Sequence, residues 1–137
     1  MYVINDMELL MRLGRHRILE YLLSQCKVAI SAVRLNDYSL IVRREIEKYP
    51  DVVVQHVDGG FDGWFRDKRK YLSMSDLCSL YISKMGTGRI LVVSGEDFFL
   101  QRLARMNNVS CLQFDDFIIA TIKDEKIIQL YNLIKVA

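Results

Sequence analysis

Acidic residues stand at positions of this chain that follow predicted strands or begin predicted helices. They are Asp6, Asp37, Asp76 and the neighbouring pair Glu96 and Asp97. Carboxylates that converge on one place repel one another unless cations neutralise them, and hard oxygen ligands suit Mg²⁺ or Mn²⁺. The chemistry predicted for such a cluster is metal-assisted hydrolysis of a phosphodiester, in which one ion activates water and the ions together stabilise charge on the phosphate.

The elements that must position these acids are short apolar strands that alternate with helices. The strands are predicted at 2–4, 27–30, 52–57, 89–93 and 109–113. Short strands that are apolar throughout favour a parallel sheet covered by helices on both faces. The predicted fold class is therefore α/β, a three-layer α/β/α sandwich with a central parallel sheet, in a single domain. Because the carboxyl ends of parallel strands share one edge of a sheet, the acidic positions are expected to converge there.

Two of the predicted helices carry acidic positions. One continuous amphipathic helix is predicted over 32–49 and contains Asp37. Another is predicted over 72–85, with Ser73 as its N-cap and Asp76 three residues later.

Each of these acids also has a purely structural explanation. Asp76 can cap a helix, Glu96 and Asp97 can favour a helix start through the helix dipole, and Asp37 can lie on a polar helix face. Taken singly, the structural explanations are favoured. The functional interpretation gains weight from the order and spacing of the whole set.

The composition is that of an ordinary globular chain. Of its 137 residues, 51% are apolar and 26% are charged, and the net charge is +2. No uninterrupted apolar run approaches the roughly 18 residues that suggest a membrane span, and the N-terminal segment lacks the basic leader of a signal peptide. We expect a soluble cytoplasmic protein without a membrane partner.

The cysteines and histidines do not form a recognisable metal or disulfide pattern. Cys26, Cys78 and Cys111 are widely spaced, so they are interpreted as small buried hydrophobes in a reducing compartment. His16 and His56 are far apart and have no neighbouring cysteine, so a zinc site is not predicted.

A basic run offers a candidate contact surface for RNA. Its residues are Arg66, Lys68, Arg69 and Lys70. A solvated helix face explains the same run equally well. Trp64 and Phe65, just before it, could stack on bases if exposed, but packing in the core is the favoured interpretation.

The chain resembles the PIN domain family along nearly its whole length. The motifs that carry the resemblance are ISAVRLND, with its spacing from Ser31 to Asp37, LSMSD, which ends in Asp76, and LVVSGED around Glu96. The resemblance implies a helix-flanked parallel sheet and cleavage of RNA at a magnesium or manganese centre. It also implies, for VapC-type toxins, a small antitoxin as partner.

Carried over by position, the resemblance implies a role for each acid. Asp37 corresponds to the second acidic ligand of such proteins and Asp76 to the third. Ser94 corresponds to the hydroxyl beside the acids. Glu96 corresponds to the fourth acid, with Asp97 as the competing choice.

Two positions depart from the family pattern. Asn5 stands where the first Asp is expected, and Asp6 comes one residue late. If the first strand continued through both, their side chains would point to opposite faces, so Asp6 could replace the missing ligand only if the chain has already turned. At the fourth position, Glu96 replaces the usual Asp.

Three functions follow from these observations. The first is a Mg²⁺- or Mn²⁺-dependent ribonuclease, with RNA as substrate and an antitoxin or a second copy as partner. The second, motivated by Asn5, is a catalytically degenerate PIN-like module that binds RNA or a protein partner. A small nucleotide-binding or receiver-like domain is the third, and it is disfavoured because the sequence has no GxGxxG or GxxxxGK[ST] loop.

Overall fold

A five-stranded parallel sheet forms the centre of the computed structural model, which describes residues 1–68 and 72–136. The strands are β1 Tyr2–Ile4, β2 Val28–Ser31, β3 Val52–Gln55, β4 Ile90–Val93 and β5 Ser110–Gln113. Their spatial order is β3-β2-β1-β4-β5, and every neighbouring pair is parallel. From β1 the chain therefore first builds outward to β3 and then crosses back to add β4 and β5 on the other side.

Helices cover both faces of this sheet. In the described residues they are α1 Met7–Arg15, α2 Ile18–Gln25, α3 Ala32–Asn36, α4 Leu40–Glu47, α5 Phe61–Phe65, α6 Met74–Met85, α7 Phe98–Met106, α8 Phe114–Thr121 and α9 Glu125–Val136. None of the helices in this part of the chain combines the length and apolar character needed to cross a bilayer.

The strand side chains show how the two helical layers are attached. Val3 packs in a cluster with residues of α6 and α7, whereas Ile4 packs in a cluster with residues of α1, α2, α8 and α9. In β4, Leu91 and Val93 join the first cluster and Val92 joins the second. Since successive strand side chains point to opposite faces, both faces of the sheet are buried at its centre, whereas the edge strands β3 and β5 are more exposed. The predicted three-layer α/β/α sandwich is confirmed.

The continuous helix predicted over 32–49 is wrong, because the chain forms α3 and α4 with a break between them. Asp37 is the C-cap of α3 rather than an interior residue. Ser39 adopts an extended backbone conformation, with φ −62° and ψ 161°, and its side chain accepts a hydrogen bond from the Val42 N–H at 3.4 Å. A serine that bonds locally to the backbone competes with the helix, which explains the break.

The start of α6 agrees with the sequence. Ser73 is its N-cap, and the Ser73 hydroxyl accepts a hydrogen bond from the Asp76 N–H at 3.2 Å. The following residues of α6 are mostly buried between the sheet and its neighbours. The first turn of this helix therefore places Asp76 beside the carboxyl ends of the central strands.

Trp64 and Phe65 pack in the core, as predicted from the sequence. Both are partly buried, and their rings lie 6.1 and 5.2 Å from that of Phe61, which is only 4% exposed. The ring of Tyr81 on α6 lies 5.3 Å from that of Trp64. These aromatic contacts attach α5 to α6.

Candidate functional site

An open cleft of about 380 Å³ lies where β1 and β4 end. It is lined by Asn5, Asp6, Glu8, Arg34, Tyr38, Asp76, Ser94, Glu96 and Asp97. The chain builds outward from β1 in one direction and from β4 in the other, so the cleft lies at the topological switch point, where open parallel sheets usually bind ligands. Six of the residues predicted from the sequence are thus brought together here: Asn5, Asp6, Asp76, Ser94, Glu96 and Asp97.

Asn5 and Asp6 both line this cleft, between the end of β1 at Ile4 and the start of α1 at Met7. The Asn5 N–H still donates to the Val92 carbonyl oxygen of β4 at 2.9 Å, and the backbone of Asp6 is extended. Asp6 is the N-cap of α1, and its Oδ1 accepts a hydrogen bond from the Leu9 N–H at 3.2 Å. Asn5 is only 4% exposed. Asp6 therefore contributes a carboxylate to the cleft, although it is only one residue after Asn5, and one of its oxygens also stabilises a helix.

Arg34 connects the acids on the other side of the cleft. Its Nη2 donates to Asp76 Oδ1 and to Asn5 Oδ1, the latter at 3.1 Å. Asn5 Nδ2 donates in turn to the same Asp76 Oδ1, at 2.9 Å. Three side chains from three separate segments thus form a closed hydrogen-bonded triangle, in which the guanidinium is a charge-assisted donor.

Asp37 lies beside this triangle and not among the residues that line the cleft. The Ser75 hydroxyl donates a hydrogen bond to Asp37 Oδ2, and Arg34 Nη1 lies 3.6 Å from the same oxygen. The Asp37 side chain is 47% exposed, against 21% for Asp76. Asp37 is therefore a peripheral member of the acidic group in this conformation.

The turn after β4 brings two acids to the cleft in different ways. Asp97 is half-buried, whereas Glu96 is exposed at the rim. Burial, together with the charges of Asp76 and Asp6, raises the pKa of the Asp97 carboxyl against the opposing effect of Arg34. Asp97 is thus less exposed than Glu96, and the charges of the other acids act on its carboxyl.

Ser94 shapes that turn. Its hydroxyl accepts a hydrogen bond from the Glu96 N–H at 3.4 Å, and its carbonyl oxygen accepts one from the Asp97 N–H at 3.2 Å. A hydroxyl beside the acids was expected from the resemblance, and in this conformation the hydroxyl serves to hold the turn.

Four residues of this region were not predicted: Glu8, Arg34, Tyr38 and Ser75. Burial and the carboxylates of Asp6, Glu8 and Asp37 raise the pKa of Tyr38 against the effect of Arg34, so Tyr38 forms a neutral wall of the cleft. A signal for Arg34 was present in the sequence, since it lies three residues before Asp37 within ISAVRLND.

The donor chemistry of the cleft fits a divalent cation. Its acidic lining residues in the described chain are Asp6, Glu8, Asp76, Glu96 and Asp97, and Arg34 is their one basic neighbour. Oxygen donors of this kind suit Mg²⁺ or Mn²⁺. In the conformation described for these residues, no three carboxylate, cysteine or histidine side chains are arranged around a common metal position. Arg34 contacts Asp76 directly, so a metal ion that used Asp76 would meet the guanidinium there.

The basic run is only partly described. Lys68 Nζ donates to the Trp64 carbonyl oxygen at 3.1 Å, contacts Asp67 Oδ1 at 3.2 Å and lies 4.6 Å from the centre of the Trp64 ring. Arg66 is exposed. Arg69 and Lys70 lie outside the described residues. Lys68 is therefore engaged with its own segment, and Arg66 is the described member with a solvent-facing charge.

The three cysteines are free thiols, of which Cys78 is buried and the other two are half-buried. Burial raises the pKa of the Cys78 thiol to about 11, so this thiol is protonated and unreactive at neutral pH. The interpretation of Cys78 as a small buried hydrophobe is confirmed.

Comparison with known proteins leaves the relationship of the chain open. No protein-family model matches it, and no curated protein or solved structure gives a significant match. The resemblance to the PIN domain family therefore stays a prediction from the sequence motifs.

Proposed function

We propose that the chain is a PIN-like ribonuclease that uses Mg²⁺ or Mn²⁺ to hydrolyse RNA phosphodiester bonds. The observation that carries the proposal is the cleft at the switch point, where five acidic side chains face one arginine. Assignment of RNA as the substrate, and of an antitoxin as a partner, depends on the sequence motifs that resemble the PIN family.

The excess of negative charge in the cleft is the physical reason for a metal. A phosphodiester is itself an anion, so a cleft with this lining repels it unless a cation is present. The raised pKa of Asp97 is consistent with this excess, because Asp76 and Asp6 contribute to it. A cation in the cleft would relieve both effects.

The residues that would hold the cation are Asp6, Asp76 and Asp97, with Glu96 at the rim. When bound, such an ion polarises the phosphate and lowers the pKa of a water molecule, which provides the nucleophile. Asn5 orients the Asp76 carboxylate through its 2.9 Å hydrogen bond. Asp37 acts indirectly, because its contacts in the described chain are with Ser75 and Arg34.

The decisive experiment is a cleavage assay on purified protein with a single-stranded RNA and added Mn²⁺ or Mg²⁺. We expect Asp76→Asn to lower the rate of RNA cleavage by at least about 100-fold. Loss of a metal ligand should lower activity at least as much as loss of a side chain that orients a ligand by a hydrogen bond. Circular dichroism and thermal unfolding establish that the variant is folded.

Glu20→Gln is the matched control, because Glu20 is an exposed acid on α2 away from the cleft. It should cleave at the wild-type rate, and chelation of the metal should stop cleavage in both proteins. Full activity of Asp76→Asn would overturn the assignment.

A second candidate function is favoured by one specific observation, the buried Asn5. This residue occupies the first acidic position, and its amide bridges Asp76 and Arg34. In a non-catalytic module, the same triangle would stabilise the fold and the acidic cleft would bind a cationic segment of a protein partner. Calorimetric detection of a Mn²⁺ site that disappears in Asp76→Asn and in Asp97→Asn would argue against this alternative.

A further inference from the structure

We propose that Arg34 is a built-in counterion of the acidic cleft and that a divalent cation engages Asp76 only by displacing its guanidinium. This inference depends on the proposed function, because it concerns the regulation of the same site. It makes Arg34 a residue that sets the metal affinity from within the chain.

The contacts of Arg34 place its charge where a metal would need to lie. One nitrogen, Nη2, donates to both Asp76 Oδ1 and Asn5 Oδ1, and Nη1 lies 3.6 Å from Asp37 Oδ2. The guanidinium therefore already neutralises Asp76, one of the proposed ligands, and also lies beside Asp37. A divalent cation bound to the same Asp76 oxygen would stand within a few ångströms of a fixed positive charge, and Coulomb repulsion opposes that arrangement.

The burial of the pair makes this competition strong. The side chain of Arg34 is 17% exposed and that of Asp76 is 21% exposed, so water screens their charges only in part. Removal of one partner from such a pair leaves an uncompensated charge, which then attracts another cation. The Asp76 carboxylate should accordingly become a better metal ligand when Arg34 is neutralised.

A further feature indicates that the guanidinium can be displaced. Arg34 Nε is buried, yet it finds no hydrogen-bond partner among the described residues. An arginine recruited as a purely structural clamp usually has its donors satisfied, because an unpaired buried donor costs free energy. Arg34 is held by Asp76, Asp37 and Asn5, and the negative charge of Asp76 is one that a metal ion in the cleft would neutralise in its place.

The test measures Mn²⁺ affinity of the full chain by isothermal titration calorimetry and by electron paramagnetic resonance of free Mn²⁺. We expect Arg34→Gln to bind Mn²⁺ at least about tenfold more tightly than wild type, which corresponds to removal of a modest charge repulsion at partly screened distance. Arg34→Lys, which keeps the charge, should stay within a few-fold of wild type.

Arg44→Gln is the control for net charge, since Arg44 is an exposed arginine on α4. It should leave the Mn²⁺ affinity unchanged. If Arg34→Gln binds Mn²⁺ with unchanged or weaker affinity, or does not bind it, the proposal is wrong, and weaker binding would identify Arg34 as a residue that positions the ligands instead.

A measurement on wild-type protein covers the case in which Arg34→Gln does not fold. In protein with ¹⁵N-labelled arginine, Mg²⁺ should shift the side-chain signals of Arg34, assigned by their absence from Arg34→Lys, and should accelerate hydrogen exchange of its guanidinium. If the Arg34 signals are unchanged at saturating Mg²⁺, or if Mg²⁺ does not bind, the proposal that the cation displaces the guanidinium is wrong.

The two proposals fail in different ways. If Mn²⁺ binds through Asp76 and tightens in Arg34→Gln while RNA stays intact, the ribonuclease proposal fails and the counterion role stands. If wild type cleaves RNA and Mn²⁺ affinity does not respond to Arg34, the ribonuclease proposal stands and the counterion role fails.

Discussion

The side chain of Asn5 determines the charge and the hydrogen bonding next to Asp76 in this cleft. An aspartate there would add a carboxylate next to Asp76, whereas the amide donates to Asp76 and accepts from Arg34. The buried amide thus replaces electrostatic repulsion with hydrogen bonds, and the cost is one fewer charged ligand for a metal.

We predict that Asn5→Asp lowers stability without metal and makes stability depend on metal. The new carboxylate loses the hydrogen bond to Asp76 and repels it, which should cost about 1–3 kcal/mol of the free energy of unfolding. Added Mn²⁺ should restore more stability to Asn5→Asp than it adds to wild type. Urea unfolding with and without Mn²⁺ measures both effects, and Asn132→Asp, at an exposed site on α9, is the control. Equal Mn²⁺ responses in the two proteins would contradict the prediction.

The Asp97 carboxyl should impose a pH dependence. Its pKa in the folded protein is raised above the ordinary value of 3.8 by burial and by Asp76 and Asp6. For an acid, a raised pKa in the folded state means that the folded protein binds the proton more tightly than the unfolded chain does. The contribution of Asp97 to stability therefore falls as the pH rises from the ordinary carboxyl pKa through the raised one.

Asp97→Asn should therefore raise Tm relative to wild type at about pH 7 in the absence of metal, and the gain should vanish well below the ordinary carboxyl pKa. Asp51→Asn, at an exposed position before β3, should show no such pH-dependent gain. A Tm difference for Asp97→Asn that does not vary with pH would show that the carboxylates are not coupled as described.

Residue by residue, the sequence predicted the acids better than their partners. Asp6, Asp76 and Glu96, with Asp97 as the alternative, could be found because each follows a strand or begins a helix. Asp37 was also predicted as a ligand but does not line the cleft. Arg34 was missed because its contacts with Asn5 and Asp76 are 29 and 42 residues away in the chain. Long-range pairing of this kind leaves no periodic signal in a single sequence, and the only local signal for Arg34 was its position three residues before Asp37.

Helices and strands could be predicted from the sequence where the apolar pattern and the capping residues indicated the same boundaries. The central strands could be predicted because a sheet buried on both faces requires continuous apolar runs. The break between α3 and α4 was missed because Leu35, Tyr38 and Val42, at helical spacing, all pack against the same core cluster. Apolar spacing continued across the break, and only the Ser39 cap marked it.

The Ser73 cap gives a prediction at this scale. Ser73→Ala removes the acceptor for the Asp76 N–H, and loss of such an N-cap typically costs about 0.5–2 kcal/mol. Urea unfolding should show this loss of stability, and Mn²⁺ affinity should fall as well because Asp76 lies in the first turn of α6. Ser24→Ala, at an exposed position near the end of α2, should change neither quantity. A Ser73→Ala variant as stable as wild type would show that other contacts fix the start of α6.

For the whole molecule, the strand order decides where the acids meet. β1 lies in the middle of the sheet, paired with β2 on one side and β4 on the other. The segments that follow β1, β2 and β4, and the start of α6, therefore reach one edge although they are far apart in the chain. The sequence indicated the sheet and its edge, but the order of the strands comes from the packing of complete crossover units.

The central place of β1 also has a consequence during translation. Its pairing with β2 can form once the first 31 residues are available, but its pairing with β4 must wait until Val93 has left the ribosome. Domains generally complete their long-range contacts only when the later strands have been synthesised. The acidic cleft consequently cannot be complete until Asp97 has been synthesised, so a ribosome that stalls before Asp97 would carry a chain without it.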